Sequence, residues 1–236
     1  MKDIPISRFQ SQYALAVIGL PSPPSTYIYG ENVKKNLLGS IHEVFIHEIA
    51  VEYSAPKKIN ILRLPANVQQ RLLTVDPDTL DEERKTMRSV LSQVNGEIKF
   101  HCGEPPLRSV VVSQFASPRT LPSGKTYYHS GLDYRAYVGR PVLAALDGRV
   151  AYTGEMTIPG RLVVLDHGGG LYSRYLHLSE IKTRDNEFVK KKELIGLAGS
   201  TGRVEAPHLH WEIVWKGNHA DPLRFLAALE PFCDPK

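Results

Sequence analysis

Nine histidines are spread along the 236 residues, and the chemistry of the chain turns on which of them converge. In the segment YYHSGLDY, His129 and Asp133 stand four residues apart, with Gly131 between them allowing a tight backbone. An imidazole and a carboxylate are both natural Zn²⁺ ligands, and a catalytic zinc takes about three protein ligands and keeps one position for water. By itself such a pair is equally a surface histidine beside a turn-capping aspartate. In APHLHWEI, His208 and His210 straddle Leu209 in a segment that reads as a strand. The two-residue period of a strand points both imidazoles to one face and Leu209 to the other. One of them can ligate a metal while the other handles protons. A lone HxH is also what a solvent-open polar strand face looks like. A third element is YLHLS, where alternation puts Ser173, Tyr175 and His177 on one face. Taken alone, His177 reads as a satisfied core or edge histidine.

Other reactive residues combine less well. HEVFIHE, residues 42–48, resembles the zincin HExxH, but its second histidine comes five residues after the first. On a strand His42 and His47 would point to opposite faces. His101 beside Cys102 has no partner histidine in a matching motif. Gly168-Gly169-Gly170 is followed by no helix, so it reads as a hairpin turn that includes His167, not as a phosphate cradle. Gly199 and Gly202 of GSTGR shape the turn leading to the HLH strand. No GxSxG elbow is present, which disfavours a serine hydrolase.

The histidine segments need elements to hold them, and three zones are readable. Residues 13–74 alternate short apolar runs with turn signals, and IHEVFIHEIAVEY, residues 41–53, reads as a strand. A helix is expected over 77–94. Asp76-Pro77 supplies a cap and a first-turn proline, and Leu80, Met87, Val90, Leu91 and Val94 recur at helical spacing before the stop at Asn95-Gly96. It is expected to connect two modules. From Leu107 onward short strands and glycine turns take over: Arg161 to Asp166 and Leu171 to Leu178 form a hairpin, with further strands at Val189 to Ala198 and His208 to Trp215. The expected organisation is therefore a small β-rich N-terminal module at 1–75, a connecting helix and linker at 76–106, and a β domain at 107–236.

Composition bounds the function. Hydrophobic content of 42% and charged content of 23% are globular values. A net charge of +4 with a pI near 9.0 favours approach to an anionic polymer, membrane surface or acidic wall. No dense basic block with interleaved aromatics occurs, and Lys190-Lys191-Lys192 reads as a solvated turn, so nucleic acid is not an expected partner. No stretch approaches the ~20 apolar residues of a membrane span, and YALAVIGL at 13–20 is too short. The first residues lack a signal-peptide pattern, consistent with either a cytoplasmic protein or a mature chain. Cys102 and Cys233 are either a single disulfide or two thiols.

The segments HSGLDY, VVLDHGGGLYSRYLHLS and GLAGSTGRVEAPHLHWEI together resemble the successive motifs of the lysostaphin/LytM-like metalloendopeptidases over roughly residues 108–226. The Asp221-Pro222-Leu223 ending matches the family's proline-containing exit, although many members carry Asn where Asp221 stands. The resemblance implies a mainly β fold with a C-terminal antiparallel LytM-like domain (the duplicated hybrid motif). It implies one Zn²⁺ per chain held by His129, Asp133 and His210, a catalytic pair His177 and His208, and a structural role for His167. His208 would then be the general base and His177 the donor to the oxyanion. The implied activity is hydrolysis of peptide bonds in peptidoglycan, by a monomer in the periplasm or cell envelope. A link of the D-Ala to diaminopimelate type is expected rather than a pentaglycine bridge. A non-catalytic wall-binding or activating protein and a carboxypeptidase are the competing expectations. Residues 20–75 are expected to limit access to the zinc cleft.

Overall fold

The computed structural model describes residues 6–8, 11–15, 25–36, 39–50, 60–96, 102–121 and 123–230. In chain order its elements are β1 (Ile6–Arg8), β2 (Ser11–Leu15), β3 (Ser25–Asn36), β4 (Gly39–Ala50), β5 (Asn60–Ile61), α1 (Ala66–Leu73) and α2 (Pro77–Leu91). There follow β6 (Val111–Ser113), β7 (Pro118–Thr120), β8 (Thr126–Tyr128), β9 (Leu132–Arg135), β10 (Pro141–Leu143) and β11 (Gly148–Met156). The chain continues through β12 (Gly160–Asp166), β13 (Leu171–Ile181), β14 (Phe188–Val189), β15 (Leu194–Ala198), β16 (His208–Trp215), β17 (Asn218–Ala220) and α3 (Pro222–Leu229). The fold is mainly antiparallel β, as expected.

Two compact units divide the chain, Met1–Ala55 and Pro56–Lys236. Within the first, β1 pairs with β2, and β3 runs antiparallel to β4 from Ser25↔Ala50 to Asn36↔Gly39 without a register break. β4 is the strand anticipated from residue 41; residues 51–53 of that expectation lie outside the described residues. His42 and His47 both fall on this strand, opposite Val33 and Ile28, so the HExxH-like spacing is not helical.

The boundary expected at residue 75 falls elsewhere, for a physical reason. β5 pairs in parallel with β7, and Leu62 N–H donates to the Thr120 carbonyl, so residues 60–62 are tied to the second unit. Helix α1 also belongs there: Arg71 donates to the Gly202 carbonyl. α2 begins where expected, its Asp76 carboxylate accepting the Asp78 N–H at 3.1 Å. It ends at Leu91 rather than Val94. Beyond it Gln93 accepts the Tyr172 hydroxyl and the Asn95 carbonyl accepts the Gly169 N–H, so the β12–β13 turn draws the chain out of the helix. Met87 of α2 packs into a buried cluster with Met156, Leu162, Val164, Tyr172, Leu176 and Val214, which seats the helix on the main sheet.

That sheet runs β14-β11-β12-β13-β16-β9-β6, with β15 joining β10 and β13 and β17 joining β16. β12 and β13 form the anticipated hairpin; Gly168, Gly169 and Gly170 in its turn all have positive φ, where side-chain-bearing residues are strained. β16 lies inside the sheet between β13 and β9. Leu209, Trp211 and Ile213 are fully buried on one face, and His210, Glu212 and Val214 are buried on the other. A central strand covered on both sides is thus disguised in sequence as a half-polar one. Asp221 caps α3, accepting the N–H groups of Leu223 and Arg224, which is what the Asp-Pro-Leu exit does here. Cys102 is disulfide-bonded; Cys233 lies outside the described residues. Among the described residues no helix is long and apolar enough to cross a membrane.

Candidate metal centre

β9 and β16 pair so that Asp133 stands directly opposite His210, and β13 on the other side sets Leu176 opposite His210. His129 precedes β9, and its backbone is fixed on both sides: its N–H donates to the Ser117 carbonyl and its carbonyl accepts the Ala116 N–H. The turn from His129 to Asp133 passes so close to β16 that a Cβ on Gly131 would lie 2.3 Å from the Trp211 carbonyl oxygen. Gly131→Ala is therefore expected to push β9 off β16, costing ~1–3 kcal/mol and lowering Tm by roughly 2–12 °C. An unchanged thermal melt would show that the turn can yield.

Three atoms converge in this corner. His129 Nε2 lies 3.0 Å from Asp133 Oδ1 and 2.9 Å from His210 Nδ1, and His210 Nδ1 lies 2.7 Å from Asp133 Oδ1. All three residues are buried, with His129 at 1% exposure. The outward nitrogens are already committed. His129 Nδ1 donates to the Gln114 carbonyl at 2.8 Å, and His210 Nε2 faces Glu212 Oε1 at 2.9 Å. His129 must spend its one neutral N–H on the Gln114 carbonyl and so turns a lone pair inward. His210, between two carboxylates, turns its lone pair inward when its N–H goes to Glu212 and the inner proton gives way to a metal. Three lone pairs meeting within about 3 Å repel one another unless a cation sits among them. Two imidazoles and a carboxylate are a zinc donor set, and outer partners that fix tautomer and orientation are the usual companions of zinc-binding histidines. His129, Asp133 and His210 form a potential metal site.

The charges lean the same way. Burial alone would raise the Asp133 carboxyl, but hydrogen bonds with His129 and His210 hold it well below the usual carboxylate range. Burial opposes a charge on His210, yet Asp133 and Glu212 bring its pKa up to about 9. Burial lowers the His129 value. The corner attracts positive charge at His210 Nδ1, where a proton and a metal ion compete for one lone pair.

The other two predicted histidines close the site. The His177 ring centroid lies 4.9 Å from that of His208 and 5.9 Å from that of His210. His208 Nε2 is 3.6 Å from Asp133 Oδ1. Each spends its Nδ1–H on a backbone carbonyl, Thr201 for His177 and Ala206 for His208. Burial, then the neighbouring imidazoles, push His177 well below its ordinary value, and burial lowers His208. The structure thus brings together all five residues named from the sequence.

One sequence expectation is corrected. His177 does not share a face with Ser173 and Tyr175. Strict alternation would put it on the sheet face away from His210, since Tyr175 stands opposite Trp211. His177 instead has φ of +64°, a left-handed conformation uncommon for a residue with a side chain, and this turns its ring to the His210 side. Strained backbone of this kind gathers at functional sites. Ser173 and Tyr175 go to the other face, where Ser173 Oγ meets His167 Nε2 at 2.8 Å and Tyr175 Oη at 2.9 Å. His167 itself is buried, with Nδ1–H donating to the Asp147 carbonyl, and does not join the metal corner.

Sequence reasoning overlooked several supporting residues. Glu212 follows His210 by two and sits on the same face by the alternation that selected His208 and His210, so that signal was present. Its carboxylate accepts from Ser130 Oγ and pairs with Arg174, which stands opposite it on β13. Burial would raise Glu212, but the Arg174 guanidinium and then His219 hold it well below the usual range. Arg119 donates to Asp133 Oδ2. Neither arginine carries a sequence signal, because Arg174 reaches Glu212 through strand register and Arg119 reaches Asp133 from a different sheet.

Residues 127–222 match peptidase family M23. Peptidoglycan DD-endopeptidase ShyA of Vibrio cholerae is 38% identical over 96 residues, 41% of this chain and 22% of that protein. ShyC of the same organism, also named a peptidoglycan DD-endopeptidase, is 39% identical over 119 residues, 50% of this chain and 28% of its own length. DD-carboxypeptidase/endopeptidase Mpg of Neisseria meningitidis is 33% identical over 133 residues, 55% of this chain and 31% of the relative. The chain therefore matches less than a third of these relatives. A crystal structure of a Pseudomonas aeruginosa protein named for peptidase M23 superposes with a TM-score of 0.67 at 22% identity, covering 95% of this chain and 83% of that one; the two share a fold.

Proposed function

We propose that this chain, whose residues 127–222 match peptidase family M23, is a zinc-dependent endopeptidase that hydrolyses peptide bonds in peptidoglycan stem peptides or cross-links during cell-wall remodelling. The single observation that carries the reading is the convergence of three inward lone pairs from His129, Asp133 and His210, each with its outer atom already bound. We assign those three as the zinc ligands and His177 and His208 as the catalytic pair. The catalytic work lies within residues 107–236, and the site of action is the cell envelope.

Zinc bound there would act as a Lewis acid and lower the pKa of water toward ~7. The remaining work falls to the chain. His208 and His177 both present Nε2 with a lone pair, because Nδ1–H is held by a carbonyl in each. Both therefore start as proton acceptors. His208, beside Asp133, takes a proton from the attacking water as general base. His177 donates to the oxyanion in its imidazolium form only, so it would take over from His208, whose ring centroid lies 4.9 Å away, the one proton removed from water as the tetrahedral species forms. The proton removed from water is finally delivered to the departing amine, which leaves the pair neutral and the proton count balanced.

A DD-carboxypeptidase activity on the same residues is the second reading, favoured by the name of the Neisseria relatives. The test is zinc content together with product analysis on purified peptidoglycan. One zinc per chain and release of cross-linked peptides as monomers are expected, with His208→Ala reducing kcat ~10²–10⁴-fold while retaining zinc. Release of terminal D-alanine alone would favour the carboxypeptidase, and zinc without any hydrolysis would overturn the wall substrate.

A further inference from the structure

We infer that Arg119 is a positioning residue that holds Asp133 to a single donor oxygen at the metal centre, an inference that rests on the zinc reading above. Asp133 divides its two oxygens between different tasks. Oδ1 faces His129 Nε2 at 3.0 Å and His210 Nδ1 at 2.7 Å. Oδ2 receives Arg119 Nη2, and the same nitrogen reaches Ser113 Oγ at 2.8 Å. The Arg119 side chain is 15% exposed and that of Asp133 is 7%, so water is a weak competitor for this contact.

The need for such a residue follows from carboxylate chemistry. A carboxylate can bind a cation through one oxygen or through both. With two imidazoles already present, a second oxygen from Asp133 would occupy the position that a catalytic zinc keeps for water. A guanidinium is permanently charged and donates in a fixed planar fork, so it holds Oδ2 in direct competition with the metal. The two strands that supply Arg119 and Asp133 are built separately. Arg119 sits on β7, which pairs with β8 and β5, whereas Asp133 belongs to β9 in the main sheet. Arg119 lies upstream of the matched residues 127–222. The clamp therefore fixes Oδ2 from a strand outside the sheet that carries the ligand.

The test uses the full chain loaded with Co²⁺, whose visible absorption weakens as coordination number rises. Wild type, Arg119→Met and Arg119→Lys are compared by spectrum, by kcat and KM on the zinc forms, and by melting of the metal-free proteins. Arg119→Met is expected to give a weaker cobalt spectrum of higher coordination, with kcat down about 10–100-fold and KM nearly unchanged. Arg119→Lys, retaining a charge and a donor, should fall between. A purely structural role would lower the metal-free melt and leave the cobalt spectrum as in wild type. A Met variant with the wild-type cobalt spectrum overturns the inference, even if kcat falls. So does a loss of activity carried by KM, which would put Arg119 on the substrate. Failure of wild type itself to bind cobalt would strike the zinc reading and this inference with it.

Discussion

His210→Ala is expected to lose both zinc retention and peptidoglycan hydrolysis. His210 contributes one of three inward donors, and its outer nitrogen is the one held by a carboxylate, Glu212, rather than by a peptide carbonyl. A ligand that binds only the folded chain raises stability by about 4 kcal/mol at a free concentration 1,000 times its Kd. For a unit of this size that is roughly 8–16 °C in Tm. Wild type should show such a rise on adding zinc, and His210→Ala should show none. A zinc-dependent rise that survives in the mutant would place the metal elsewhere. Hydrolysis that survives would remove His210 from the site.

The second large effect concerns stability behind the site. Arg174 and Glu212 form a buried pair at 2.5 Å, with side chains 11% and 3% exposed. Removing one member leaves the other's charge stranded in a poorly hydrated interior, at a cost of ~3–5 kcal/mol. Arg174→Met is therefore expected to lower Tm by roughly 6–20 °C. Replacing both residues, as in Arg174→Met with Glu212→Leu, should recover much of that loss, because no unpaired charge remains. Metal affinity should separate from stability in this series. Any loss of Glu212 releases His210 Nε2 and should weaken zinc binding about 10–100-fold, whether or not the fold recovers. Melting without metal and zinc competition titration together read the two effects. If the double variant melts no higher than Arg174→Met, the pair is not the source of the stability. If zinc binding is untouched by Glu212→Leu, the carboxylate does not orient His210.

Much of the site was readable from residues alone. HxxxD and HxH carry their own geometry, because a strand's period of two settles which side chains share a face. That alternation put His208 beside His210, and it extended unread to Glu212. The glycine run at 168–170 announced the β12–β13 turn for the equally local reason that only glycine takes positive φ without strain. Asp76-Pro77 announced the start of α2 through capping.

What escaped depends on contacts between segments distant in the chain. α2 stops at Leu91 because Tyr172 and Gly169 claim the carbonyls that follow, and periodicity has no access to a competing turn. Residues 60–75 join the second unit because β5 finds β7, a pairing invisible at either end by itself. The face of His177 was misread because alternation assumes extended backbone, whereas φ of +64° reverses the side chain at one position. Arg119 and Arg174 became partners of Asp133 and Glu212 only through tertiary placement and strand register. Ligand types, and the local periods that group them, are written in the order of the residues. Which outer atom binds each ligand, and so which lone pairs turn inward, depends on the packed fold, because a tautomer is set by a neighbour that the local chain does not contain.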